Sequence, residues 1–177
     1  VVLIMVDDQG YGDLACHGNP VIQTPNLDRL SEESVTLTNF HVSPYCAPTR
    51  ASLMTGRHSR HVGVTGVNAL QNLMSQEAPT MAGIFRENGY RTGLFGKWHL
   101  GDHYPRRPEE RGFDEVVSFG DGAISVMGDE WDNTYFSADL RHNGKLEHYE
   151  DYCTDVWFNE AMRFIEESDG KPFFCYI

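Results

Sequence analysis

No stretch of this 177-residue chain approaches the roughly 20 consecutive apolar residues of a membrane-spanning helix, and no basic, apolar leader precedes Val1. The chain starts without methionine, inside an apolar run, so a processed or trimmed N-terminus is expected and the missing leader says nothing about compartment. Basic residues are scarce: 14 Lys and Arg stand against 26 Asp and Glu, a formal charge of −12. Without a basic stripe to neutralise a phosphate backbone, the charge argues against nucleic acid as a partner. An anionic substrate would need cations gathered locally against that repulsive field; otherwise the acidity serves solubility. Cysteines are few, and Cys16, Cys46, Cys153 and Cys175 show no CxxC pairing, which rules out a disulfide scaffold and leaves the redox compartment open. Internal repeats and low-complexity tracts are absent.

What the sequence does contain is ordinary globular material: 40% hydrophobic and 12% aromatic residues, enough for one domain with a real core. Val1 to Val6 is a continuous apolar run, the pattern of a strand buried on both faces of a largely parallel sheet, where the C-terminal strand ends carry ligands. Thr24 and Pro25 predict a helix start with Leu27 and Leu30 turned inward, and Val35 to Val42 reads as a strand. A helix from Pro48 ends near Gly56, and residues 57 to 78 lack a clear period. Thr80 caps a further helix with Met81, Ile84 and Phe85 on one face, stopped at Asn88 and Gly89 before a strand from Tyr90 to Phe95. Residues 101 to 133 read mostly as loop. Asn143 and Gly144 turn a hairpin within Tyr135 to Tyr149. Thr154 is placed as the cap of a helix carrying Trp157, Ala161, Phe164 and Ile165, and Phe173 to Ile177 closes on a buried-type strand. The alternation predicts an α/β fold, a largely parallel sheet with helices on both faces. Ending on an interior-type strand predicts a truncated protein.

Three clusters carry chemistry. The run Cys46, Ala47, Pro48, Thr49, Arg50, followed by Thr55 and Gly56, places a cysteine at a helix start, where backbone donors and the dipole favour an anion, with Arg50 one turn inside. The alternative is a small thiol packed under the helix, the role expected of Cys16, Cys153 and Cys175. Asp7 and Asp8, adjacent at the end of a buried strand, invite a hard dication with oxygen ligands, or else cap a loop. Lys97 and His99 fall at the end of a strand, in GKWHL. His58 and His61 have no carboxylate or cysteine partner at ligand spacing and fit pocket lining better than metal binding.

These segments together resemble the type I sulfatases, formylglycine-dependent members of the alkaline phosphatase superfamily. The carriers are the Cys46 to Arg50 pentad with Thr55 and Gly56, the Val1 to Asp8 opening, Pro25 to Leu30 (PNLDRL), Tyr90 to Leu100 (YRTGLFGKWHL), and Gly112, Phe113 and Asp114, in order along nearly the whole chain. The resemblance implies that residues 1–177 are the N-terminal part of a sulfatase catalytic domain. It implies that a maturing enzyme oxidises Cys46 to formylglycine, whose hydrate attacks sulfur. It also implies that Asp7, Asp8 and Cys46 bind Ca2+, with Mg2+ as the near alternative, and that Arg50, Lys97 and His99 serve the sulfate. The implied substrate is a sulfated sugar or aryl ester, and the implied compartment periplasmic, secreted or lysosomal. Further metal and sulfate ligands of the family have no counterpart before Ile177, so the isolated chain is expected to hold half a metal site and to turn over little substrate. Two alternatives stay open: a phosphonate or phosphodiester hydrolase of the same superfamily, and a non-catalytic anion-binding fragment.

Overall fold

The computed structural model describes residues 1–68 and 70–177. The chain divides into two compact units, one made of Val1–Met5 and Ser43–Ile177 and the other of Val6–Val42.

The larger unit is built on a six-stranded sheet. In chain order its strands are β1 (Val2–Leu3), β2 (Arg91–Gly96), β3 (Glu115–Ser118), β4 (Ala138–His142), β5 (Lys145–Tyr149) and β6 (Phe173–Tyr176), arranged in space as β1-β6-β2-β3-β4-β5. The first four in that spatial order run parallel, and β4 and β5 add an antiparallel hairpin. Asn143 and Gly144, both at positive φ, make the expected turn between them. Helices α2 (Cys46–Thr55) and α3 (Met81–Glu87) lie on one face and α4 (Cys153–Glu166) on the other, so the chain has the α/β class with helices on both faces.

Side chains alternate across this sheet with period two, and the sequence uses both sides. Leu94, Val116, Phe174 and Tyr176 enter one core with Ala47, Ala51 and Met54 of α2 and Ala82 of α3. Their neighbours Phe95, Val117 and Cys175 enter the other with Val156, Trp157, Ala161 and Phe164 of α4. Each Val, Leu, Phe or Met among them that is fully withdrawn from water contributes about 1.5–3 kcal/mol, the alanines less. The loop before α3 is held by buried charge: Arg111 donates to the carbonyl oxygens of Gln76 and Ala78, while Thr80 Oγ1 donates to Arg111 O (2.5 Å) and accepts from Gly83 N (3.0 Å). Thr80 is thus the predicted N-cap.

Several expectations are corrected. Within the Val1 to Val6 run only Val2–Leu3 is strand, beside β6 at the edge of the sheet, although backbone bonds to the β6 segment run from Val1 to Met5; Val1, Val2, Ile4 and Val6 are exposed. With one neighbouring strand, only Leu3 and Met5 reach the core. A strand missed within residues 101 to 133, β3, is four residues long, too short to declare a period. Helix α2 begins at Cys46 itself, with Tyr45 as N-cap, so Pro48 is its third residue; an imide without N–H is tolerated there because first-turn donors have no intrahelical partner. Helix α4 begins at Cys153 with Tyr152 as N-cap, not at Thr154. Ile84 of α3 faces solvent.

The Val6–Val42 unit contains short 3-10 turns at Tyr11–Asp13 and Ala15–His17 and helix α1 (Pro25–Glu32). Thr24 precedes α1 but makes no cap bond; its hydroxyl accepts from Ala15 N (2.9 Å) and donates to Asp28 Oδ1 (2.7 Å), which also accepts from Cys16 N (3.0 Å). Leu27, Leu30 and Cys16 are exposed rather than turned inward. The expected strand from Val35 to Val42 does not form. Its apolar positions change parity at Thr38 and Asn39, from 35 and 37 to 40 and 42, so no single strand face is apolar.

Two glycines of positive φ separate backbone strain from collision. A Cβ on Gly112 (φ 106°) would lie 2.4 Å from Gly83 N, whereas one on Gly56 (φ 64°) meets nothing within 4 Å. In urea unfolding, Gly56→Ala is expected to cost about 1–2 kcal/mol, the left-handed penalty alone, and Gly112→Ala more than about 3 kcal/mol or the fold itself.

Candidate active site

The N-terminus of α2 and the C-terminal ends of β2 and β6 meet at Cys46, Arg50, Lys97 and His99. Helix geometry sets the first two: Cys46 is the first helical residue and Arg50 follows one turn later, inside the core at 3% exposure. Gly56 closes the helix in the left-handed conformation, its N–H bonded to Ser52 O (2.9 Å). Arg50 Nη1 donates to Lys97 O (2.7 Å), just past β2, and to the Tyr176 hydroxyl (2.8 Å), at the end of β6. Tyr176 in turn donates to Met5 Sδ (3.6 Å).

His99 is 3% exposed and sits at φ 62°, in the left-handed region. Its Nδ1 lies 3.2 Å from Cys46 Sγ and its Nε2 lies 3.0 Å from Val67 O. A carbonyl only accepts, so the neutral ring carries its proton on Nε2 and presents the Nδ1 lone pair to residue 46. Burial holds the imidazole below its ordinary value; the Lys97 ammonium and Arg50 guanidinium push the same way, while Val67 O and Asp121 oppose them. The Lys97 and Arg50 charges act on His99, the ring that touches Cys46 Sγ. This corner therefore offers a side chain at a helix start, a neutral base in contact with it, and local positive charge in an otherwise acidic chain.

The structure thus brings together four of the expected site residues. Asp7 and Asp8 open the Val6–Val42 unit, both exposed, with Asp8 at φ 58°. Their carboxylates suit a hard dication, but a Ca2+ cage takes six to eight oxygens. Among the described residues no group of three or more His, Cys, Asp or Glu is disposed to hold a metal. His58 and His61 are exposed neighbours, ring centroids 5.7 Å apart.

Four contributors escaped sequence reasoning: Tyr176, the Val67 carbonyl, Asp121 and Gly122. Tyr176 ends β6 and the Asp121 loop follows β3, both at C-terminal strand ends of the parallel sheet, the positions where such folds place ligands, and that rule could have flagged them.

The sulfatase family model matches residues 1–177, and the chain belongs to the sulfatase family. Human arylsulfatase D is 41% identical over 129 residues, covering 64% of this chain and 22% of its own length. The crystal structure of Ps i-CgsB with k-i-k-neocarrahexaose superposes with a TM-score of 0.85 at 32% identity, over 99% of this chain and 43% of that one. A protein solved in complex with its substrate D-glucosamine-2-N,6-O-disulfate superposes with a TM-score of 0.80 at 27% identity, over 99% and 33%. The chain therefore spans about a fifth of that curated relative's length and a third to two fifths of those solved chains.

The buried imidazole has a consequence for stability. Unfolded, His99 takes its proton near pH 6.5; folded, it does so only at lower pH. Between those values the unfolded state binds more protons, so stability is lost as pH falls below the unfolded value. In urea titrations from about pH 7 to about pH 5, His99→Gln is expected to lose less stability than the wild type.

Proposed function

We propose that the protein carrying this chain hydrolyses sulfate esters, with position 46 as the seat of the nucleophile and Arg50, Lys97 and His99 as its attendants. The observation that supports this most directly is the 3.2 Å approach of His99 Nδ1 to Cys46 Sγ, with the lone pair aimed at residue 46. Here Sγ stands in for an oxygen of the formylglycine hydrate that the family makes from this cysteine. When formed, that group supplies one hydroxyl to attack sulfur and a second that lets the sulfate leave again, which neither serine nor a thiol does.

The residues of this chain fit such an oxygen. His99, neutral and with Nδ1 available, accepts the proton of a hydroxyl at position 46. Lys97 offsets the charge of a sulfate oxygen, against a chain of net charge −12. Arg50 is held by the ends of β2 and β6 one turn beneath position 46, so its charge is oriented before substrate arrives. Burial around His99 and Arg50 keeps water from screening these interactions.

Asp7 and Asp8 are proposed as two oxygen ligands of a Ca2+ or Mg2+ ion, completed by groups beyond this stretch. The substrate class is a sulfated sugar or aryl ester, as the disulfated glucosamine of the solved relative and the arylsulfatase name suggest. The cysteine requires a formylglycine-generating enzyme as a partner, and membership of the family suggests a periplasmic, secreted or lysosomal compartment.

Mass spectrometry of the peptide spanning Cys46, from protein made in its own host, is expected to show the aldehyde in place of the thiol. With aryl sulfate as substrate, Cys46→Ala is expected to abolish turnover and Lys97→Ala to lower it about 10²-fold or more. An unmodified thiol from a host competent in the modification would sink the proposal. Faster turnover of phosphonate or phosphodiester substrates would move the protein to the neighbouring reaction class.

A further inference from the structure

The loop that follows β3 touches His99. A Cβ on Gly122 would lie 2.7 Å from His99 Cε1, 2.9 Å from Nε2 and 3.2 Å from Nδ1, so the glycine backbone rests against the ring edge that bears both nitrogens. The preceding residue, Asp121, brings Oδ1 to 3.6 Å from Nε2. That is too long for a hydrogen bond, but together with Val67 O at 3.0 Å it sets two oxygen acceptors beside Nε2, which favours a proton on that nitrogen.

This step of chain is held from several directions. Asp121 adopts φ 53°, in the left-handed region. Asp129 Oδ1 accepts from Gly120 N (3.1 Å), and its Oδ2 accepts from Ser125 N (3.0 Å) and Asn133 Nδ2 (3.1 Å), closing the loop on itself. Gly128 leaves no room to spare, since a Cβ there would lie 2.6 Å from Asp121 Cβ. A loop fastened this way at its base presents a fixed surface to the imidazole.

We propose that Asp121 and Gly122 form the positioning element for His99, fixing its ring plane and its Nε2–H tautomer so that Nδ1 stays directed at position 46. Both act through His99. The kinetic consequence rests on the sulfate-ester reading, whereas the structural one does not.

The test uses two variants of the intact, formylglycine-bearing protein. Gly122→Ala is expected to lower kcat on an aryl sulfate about 10²-fold, with KM changed less than about threefold, because a displaced base alters the chemical step more than binding. Asp121→Asn exchanges an acceptor for a possible donor and is expected to lower kcat about tenfold. Its side chain is 29% exposed, which keeps it informative should Gly122→Ala fail to fold. Nitrogen-15 NMR of labelled histidine, with His99→Gln to assign the signal, is expected to show the Nε2–H tautomer in the wild type and a mixture in Asp121→Asn. An Nδ1–H tautomer in the wild type, or variants with unchanged kcat and unchanged His99 signals, would overturn the proposal. A wild type inactive on sulfate esters that nonetheless shows the Nε2–H ring and its loss in Asp121→Asn would uphold positioning and remove the sulfatase reading instead.

Discussion

One guanidinium nitrogen holds this site together. Arg50 Nη1 donates both to the carbonyl of Lys97 and to the hydroxyl of Tyr176, so a helix, β2 and β6 share a single buried donor. The geometry is demanding because Arg50 is almost wholly withdrawn from water, where a polar group that loses its partner costs about 1–3 kcal/mol and a charged one more. The same contact sets the path of the chain that leaves β2. Lys97 and His99 follow Gly96 by one and three residues, and their placement depends on where Arg50 holds the Lys97 carbonyl. Structure and chemistry are coupled in one residue: the positive charge that suits a sulfate ester also anchors the groups meant to meet it.

The sheet that carries this corner is a double-sided partition. Consecutive residues such as Val116 and Val117, or Leu94 and Phe95, belong to different cores, one under α2 and α3 and the other under α4. The site lies on the α2 side. On the α4 side, Arg163 joins Glu115, Glu160 and Glu167 in one ionic cluster, and Arg91 pairs with Glu115 while its guanidinium carbon stacks 4.5 Å over the Phe164 ring. Stacking of this kind lets an arginine cover apolar surface and keep its ion pair.

Much of this was legible in the sequence where local rules suffice. The helix ending at Gly56, the Thr80 cap, the Asn143 and Gly144 turn, the α/β class and the meeting of Cys46, Arg50, Lys97 and His99 follow from turn chemistry, periodicity and a resemblance carried by specific residues. What was not legible depends on partners distant in sequence. Val1 to Val6 has the composition of an inner strand, but composition does not state how many neighbours a strand finds. Val35 to Val42 is rich in β-formers, yet its change of parity denies it a face. Tyr176 looked like any core aromatic until a buried arginine 126 residues earlier in the chain was seen to need its hydroxyl. Asp121 and Gly122 sat in a stretch dismissed as loop, where glycine content reads as slack although here it records close approach.

The backbone at His99 has a further meaning. A histidine in the left-handed region carries a conformational penalty of about 1–2 kcal/mol that glycine would not. Exchanging that residue for glycine would therefore relax the main chain at the very place where the imidazole is wanted. The molecule tolerates a local discomfort that a purely architectural selection would have erased, and its tautness at this corner is a sign that something other than durability chose the side chain.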